Sequence, residues 1–222
     1  MRIAREGYSF IFTAALLAVI AALTGWKWAA AGFGLLTLAF VGFFRDPERI
    51  PPAGEGLILS PADGRVAEIR HAEGAEPFGE ARTRVSVFLS PLDVHVNRAP
   101  VGGIVEEVQY RKGRFLAAYK EKASESNERN ALTIVDPGGR KLGVVQIAGV
   151  VARRIVCRVK KGDSLEAGQR FGMIMFGSRV DLFLPNGSRV EVVEGRHVKG
   201  GESILARFDK LTAPRTIEGR SA

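Results

Sequence analysis

The chain of 222 residues contains one cysteine, Cys157. An intramolecular disulfide is impossible, which excludes a disulfide-stapled scaffold. Cys157 ends the apolar stretch Arg154-Ile155-Val156-Cys157 and reads as a packing thiol in a reducing compartment. Histidine is nearly as scarce, with only His71, His95 and His197. Three histidines and one thiol do not make the ligand cluster of a structural zinc site or a β-rich zinc peptidase, so no metal is expected. Acidic residues are outnumbered, 24 Asp and Glu against 32 Lys and Arg, giving a net charge of +8. There is no zinc-finger spacing, aromatic RNA-binding signature or long Lys/Arg block, so the surplus does not indicate nucleic acid. It suits anionic lipid, which attracts basic residues by about 1 kcal/mol each near the surface.

Charge is missing altogether from residues 9–24 (SFIFTAALLAVIAALT) and residues 28–44 (WAAAGFGLLTLAFVGFF). Each run is slightly shorter than the roughly 20 residues that span a bilayer. Together they predict a helical hairpin, residues 1–48, that crosses a thin membrane or dips into one leaflet. Trp26 and Trp28 beside Lys27 resemble an interfacial belt at the turn, and Arg2, Arg5, Arg45 and Arg49 flank the two ends. The positive-inside rule places both ends in the cytoplasm. A cleaved signal peptide fits the first run alone, because the second would remain as an anchor. A buried hairpin of a soluble protein is the other reading of the two runs.

Beyond residue 48 the helical signal fades. Short Val- and Ile-rich runs alternate with Gly, Pro and Asp, as in strands and turns. Nine strands are expected, at residues 65–69, 84–89, 103–110, 131–135, 142–148, 155–159, 172–175, 179–184 and 189–193. They predict a mainly β domain, barrel- or sandwich-like, over residues 49–209. Residues 115–130 (FLAAYKEKASESNERN) interrupt the pattern as a polar loop with some helix, and residues 210–222 read as a flexible tail. Lys161-Gly162-Asp163-Ser164-Leu165-Glu166-Ala167-Gly168-Gln169 is similar to the turn of lipoyl and biotinyl carrier domains. The lysine such carriers need at the hairpin tip is absent, because Met173-Ile174-Met175-Phe176-Gly177-Ser178 stands there.

The candidate chemistry centres on Gly177-Ser178, at the end of an apolar strand. Glycine lets a nucleophile approach its carbonyl closely. The Ser178 hydroxyl could attack the Gly177 carbonyl and move the acyl group from nitrogen to oxygen. Elimination of the ester would leave dehydroalanine, which hydrolyses to a pyruvoyl group. Such a route needs a base. His95, in Ser90-Pro91-Leu92-Asp93-Val94-His95-Val96-Asn97-Arg98-Ala99-Pro100, is the best placed. His71 and His197 sit among charged or glycine-rich neighbours and read as surface residues. Either Asp63 or Asp93 could orient His95. Asp93 lies two residues away and would share a face on a strand, while Asp63 in Pro-Ala-Asp-Gly is also a turn former.

Four segments, in order, resemble the short prokaryotic form of phosphatidylserine decarboxylase: residues 60–66 (SPADGRV), 90–100 (SPLDVHVNRAP), 115–130 and 170–185 (RFGMIMFGSRVDLFLP). The likeness runs from about residue 45 to 195. It implies a pyruvoyl-dependent lyase that converts phosphatidylserine to phosphatidylethanolamine, with pyruvoyl as electron sink in the way PLP serves other decarboxylases. It implies a self-cut between Gly177 and Ser178, yielding a large chain of residues 1–177 and a small chain of residues 178–222. Ser178 would be nucleophile and then pyruvoyl residue, His95 the base and proton donor, and Asp63 the residue that orients it. Arg98, Arg129 and Arg179 would be candidates to hold the substrate's phosphate or carboxylate. Two positions depart from the long form of the family. Arg98 stands where a second histidine is common, and Phe176-Gly177-Ser178-Arg179 replaces Leu-Gly-Ser-Thr. Two other functions fit parts of the pattern. A membrane-anchored carrier-like adaptor would leave the chain uncut, and a membrane serine hydrolase using Ser178, His95 and Asp63 would keep Ser178 as serine.

Overall fold

The structure, a computed structural model, describes residues 2–72, 82–113, 127–149, 154–175 and 178–209. A short strand β1 (Arg2–Ile3) and a 3-10 turn (Arg5–Gly7) lead into helices α1 (Tyr8–Leu23) and α2 (Lys27–Phe43). The strands that follow are β2 (Arg45–Asp46), β3 (Leu57–Leu59), β4 (Gly64–Ala72), β5 (Arg82–Leu89), β6 (Val96–Arg98), β7 (Gly103–Arg111), β8 (Arg129–Val135) and β9 (Lys141–Ala148). The last are β10 (Arg154–Cys157), β11 (Ser164–Leu165), β12 (Arg170–Met175), β13 (Ser178–Leu184), β14 (Ser188–Val190), β15 (His197–Val198) and β16 (Ile204–Phe208).

The chain is mainly β, as the sequence predicts, and all nine expected strands are present within a few residues at each end. The strand expected at residues 155–159 stops at Cys157, and that expected at 189–193 stops at Val190. The pairs and triplets β1, β2, β3, β6, β11 and β15 are too short to show an alternating pattern, and sequence reading passes over them and over the five-residue β16. Of the expected loop at residues 115–130, the last two residues begin β8, and residues 114–126 lie outside the described part. The expected tail from residue 210 lies outside it as well.

Eight strands form one antiparallel sheet in the order β11-β7-β8-β9-β13-β5-β4-β15, which curls into half a barrel. β10-β12-β6 and β14-β16-β3 make smaller sheets. The central strand β13 is buried along its whole length between β9 and β5. Val180, Leu182 and Leu184 on one face enter the main core with Leu89, Val87, Ala148 and Val144. Phe183 on the other face packs with Ala131, Val145 and Ile147. Period-2 alternation with both faces covered explains why β13 reads as a nearly continuous buried run.

The carrier-like turn exists as a turn. Gly162 takes φ +92, a left-handed conformation that suits glycine, and the Asp163 carboxylate accepts the Lys160 N–H at 2.9 Å. The hairpin is built as expected, with Gly25 at φ +81 in the reversal between α1 and α2. Its side chains are largely bare. Phe12, Leu16 and Leu23 of α1 and Trp28, Leu35 and Leu38 of α2 are all exposed. Residues 5–23 form one helical stretch long and apolar enough to cross a membrane, and α2 is shorter.

The foot of the hairpin is the part tied to the β domain. Ala4, Phe43 and Phe44 join Val94, Val96, Met173 and Met175 in a second apolar cluster. Gly7 makes this joint possible, because a Cβ there would lie 2.4 Å from the Phe44 ring carbon Cγ.

Candidate active site

Ser178 opens β13, paired with Leu89 of β5 on one side and Ala148 of β9 on the other. Directly opposed residues put their side chains on the same sheet face. Ser178 therefore faces the main core with Leu89 and Ala148, and it is fully buried. Its Oγ has no hydrogen-bond partner among the described residues. A hydroxyl buried without a partner costs roughly 1–3 kcal/mol, so this orphan needs a reason, and a nucleophile awaiting its reaction is one. Gly177, the other half of the expected cleavage site, lies outside the described residues.

His95 closes the loop between β5 and β6 and is fully buried. Its carbonyl accepts the Ile174 N–H of β12 at 3.2 Å. Ile174 is four residues before Ser178, an extended reach of at most about 14 Å. The imidazole Nδ1 lies 2.9 Å from the main-chain carbonyl of Asp93, so Nδ1 carries the proton and donates it. The Phe43 ring, at the end of α2, lies 4.2 Å from the imidazole centroid to centroid. Burial pushes the imidazole from 6.5 down to about 4. At neutral pH it is uncharged, the state a general base requires.

The two aspartates are engaged differently. The loop at residues 90–95 is a turn and not a strand, so Asp93 and His95 do not pair as face-sharing neighbours. The Asp93 carboxylate accepts the N–H and hydroxyl of Ser90 at 2.8 and 2.7 Å, and it meets His197 Nε2 at 3.1 Å. Burial works against its charge, yet the Ser90 hydrogen bonds and His197 hold the carboxyl below its ordinary value. His197 is half exposed, as its neighbours suggest, but belongs to this network. Asp63 sits in its turn before β4, where its carboxylate accepts the Gly200 N–H at 2.8 Å and Arg49 at 2.7 Å. Burial raises the Asp63 carboxyl above its usual value despite both partners.

The three arginines occupy distinct settings. Arg98 is buried, and its guanidinium donates to Asp46 at 3.1 Å, to the Pro47 carbonyl at 2.8 Å and to the Gly168 carbonyl at 3.1 Å. Arg179 pairs with Asp181 at 2.9 Å, both buried. Arg129 opposes Ile147, which in turn opposes Arg179. Arg129 and Arg179 thus share the sheet face opposite to the Ser178 side chain.

Sequence reasoning passed over several residues here. Arg49 reads as a membrane-flanking charge but holds Asp63, and Phe43 reads as one more apolar position but covers His95. A buried amide chain runs from Asn130 to Gln146 at 2.9 Å and from Gln146 to Asn97 at 2.8 Å, bracing β6 against β9 and β8. Asn97 lies inside a segment already marked for its chemistry; nothing local singles out Gln146.

A buried serine at the head of a central strand, a neutral imidazole beside the strand that leads to it, and an apolar hairpin seated over that imidazole make a candidate active site in a β-rich fold. Comparison with known proteins gives the family. The family model described as phosphatidylserine decarboxylase matches residues 36–206. A phosphatidylserine decarboxylase proenzyme of Cereibacter sphaeroides is 50% identical over 221 residues, 97% of this chain and 94% of its own. That of Azorhizobium caulinodans is 48% identical over 210 residues, covering 92% and 88%. That of Granulibacter bethesdensis is 51% identical over 182 residues, covering 81% and 73%. The chain belongs to the phosphatidylserine decarboxylase family and is an enzyme, a decarboxylase.

Proposed function

We propose that this enzyme decarboxylates phosphatidylserine to phosphatidylethanolamine with a pyruvoyl group that it makes from its own Ser178. The observation that carries the proposal is the Ser178 Oγ, buried and without a hydrogen-bond partner among the described residues, immediately after Gly177. The relatives' designation as proenzymes supports a cut chain.

In the proposed cut, neutral His95 takes the Ser178 hydroxyl proton as Oγ attacks the Gly177 carbonyl carbon. The Gly177–Ser178 C–N bond breaks and an ester forms. Loss of the Ser178 α-proton expels the Gly177 carboxylate as the new end of a large chain, residues 1–177. Water then replaces the nitrogen left on residue 178, ammonia departs, and the small chain, residues 178–222, begins with a pyruvoyl group. Once formed, that group supplies the electron sink for the charge left by departing CO2. His95 returns a proton to the product. Asp63 steadies the imidazole in this reading, on the strength of the family resemblance, and Arg49 fixes Asp63 to the chain that leaves α2. Arg98, Arg129 and Arg179 remain the arginines proposed for substrate anions, with Arg98 the nearest in sequence to His95.

The two-part organisation supports a place for the reaction. Residues 1–48 anchor the protein in the cell membrane, and residues 49–209 work at its cytoplasmic surface. Phe43 on His95 couples anchor to site, so the lipid headgroup is reached without leaving the bilayer.

The test is the intact mass of the detergent-solubilised protein beside Ser178→Ala. Two fragments divided after Gly177, the smaller lighter by one ammonia than its serine form, and CO2 release from phosphatidylserine are expected. Ser178→Ala should stay whole. An uncut, inactive wild-type chain would refute the proposal.

A further inference from the structure

A cleft of about 240 Å³ opens between the N-terminal segment and β12, with Val96, the residue after His95, in its wall. Arg2, Arg5, Arg158 and Arg170 line it with two carboxylates, Glu6 and Asp46. Both carboxylates are already engaged. Arg158 grips both Glu6 oxygens at 2.7 Å, and Asp46 receives Arg98 at 3.1 Å and Arg170 at 2.6 Å. Among the described residues Arg2 pairs only with the exposed Glu48, at 3.0 Å, a surface pair of little worth. Arg5 is exposed, with no side-chain hydrogen bond or ion pair among the described residues. Four guanidinium groups against two carboxylates leave the cleft an excess of two positive charges.

Its position gives that charge a use. Arg5 begins the turn that runs directly into α1, so the cleft lies at the foot of the bare apolar hairpin. With the hairpin in a bilayer, the foot sits among lipid headgroups. Guanidinium forks match phosphate oxygens in pairs, and anionic headgroups enrich at basic surfaces. We infer that the cleft between β1 and β12 is a second lipid site, which holds the phosphate of an anionic membrane lipid beside the reaction site. The inference rests on the membrane reading above.

The test titrates the full-length protein in neutral detergent with dihexanoyl phosphatidylglycerol, using calorimetry. Dihexanoyl phosphatidylcholine and inorganic phosphate are the comparison probes. The anionic lipid should bind more tightly than either. Arg5→Gln and Arg2→Gln should each weaken it about fivefold, as expected for about 1 kcal/mol per arginine. Lys112→Gln removes the same charge away from the cleft and should change nothing. Equal losses at Lys112 and Arg5 would mean diffuse attraction and overturn the site. Equal binding of the zwitterionic lipid, or no binding of the anionic one, would also overturn it. Inorganic phosphate binding as tightly as the lipid would reassign the cleft to free phosphate. Flotation with pure phosphatidylcholine vesicles tests the hairpin separately. Failure there defeats the membrane reading, whereas flotation without an Arg5-dependent response defeats only this site.

Discussion

His95 should make the fold lose stability at mildly acid pH, by an amount the structure sets. The imidazole titrates near 6.5 when unfolded but is held at about 4 by burial. Between those values the unfolded chain carries a proton that the native protein refuses. Stability is therefore full above the unfolded pKa and falls as pH drops toward the folded one. The whole effect is about 3 kcal/mol, at roughly 1.4 kcal/mol per pH decade. From about pH 7.5 to about pH 5 the loss from this one group is about 2 kcal/mol. Asp63, with its raised carboxyl, acts in the opposite sense, so the comparison must cancel it. Urea unfolding of the Ser178→Ala proenzyme in neutral detergent, followed by circular dichroism, supplies one curve. The same protein carrying His95→Gln supplies the other. The difference between them should grow by about 2 kcal/mol across that range, and the NMR signal of the His95 ring should titrate near 4. Parallel pH profiles, or a ring that titrates near 6.5, would refute the burial argument.

Two further substitutions probe the frame around the site. Gly172→Ala would set a Cβ 2.3 Å from the Val156 carbonyl and 3.0 Å from Gln146 Nε2, splitting β10 from β12 behind His95. A loss of more than about 2 kcal/mol by urea unfolding is expected, and a wild-type midpoint would show that the ribbon yields freely. Asp181→Leu removes the carboxylate that pairs with Arg179 in the buried second face of the sheet, and a loss of more than about 2 kcal/mol by urea unfolding is expected. Adding Arg179→Met should restore most of that, and a double variant no better than the single would contradict the pairing.

The sequence by itself determined the apolar helical hairpin, the β domain and the family. Two uncharged runs can only be helices with apolar surfaces, and the Val- and Ile-rich runs between turn residues can only alternate as strands. Those signals are local, and they survive in the structure to within a few residues at each end. Gly177-Ser178 and His95 were legible because their segments resemble a known family, a likeness borne out at the level of the family. Tertiary structure alone decided who touches whom. Asp93 lies two residues from His95, yet a turn sends its carboxylate to Ser90 and His197 and offers His95 only a carbonyl. Asp63 is bound to Arg49 and Gly200, far apart in the chain, because β4 and the loop before β16 meet there. The orphan hydroxyl of Ser178 and the depressed pKa of His95 both come from burial. Burial is a sum over distant neighbours such as Phe43, Leu89 and Ala148, and no spacing within one segment encodes it.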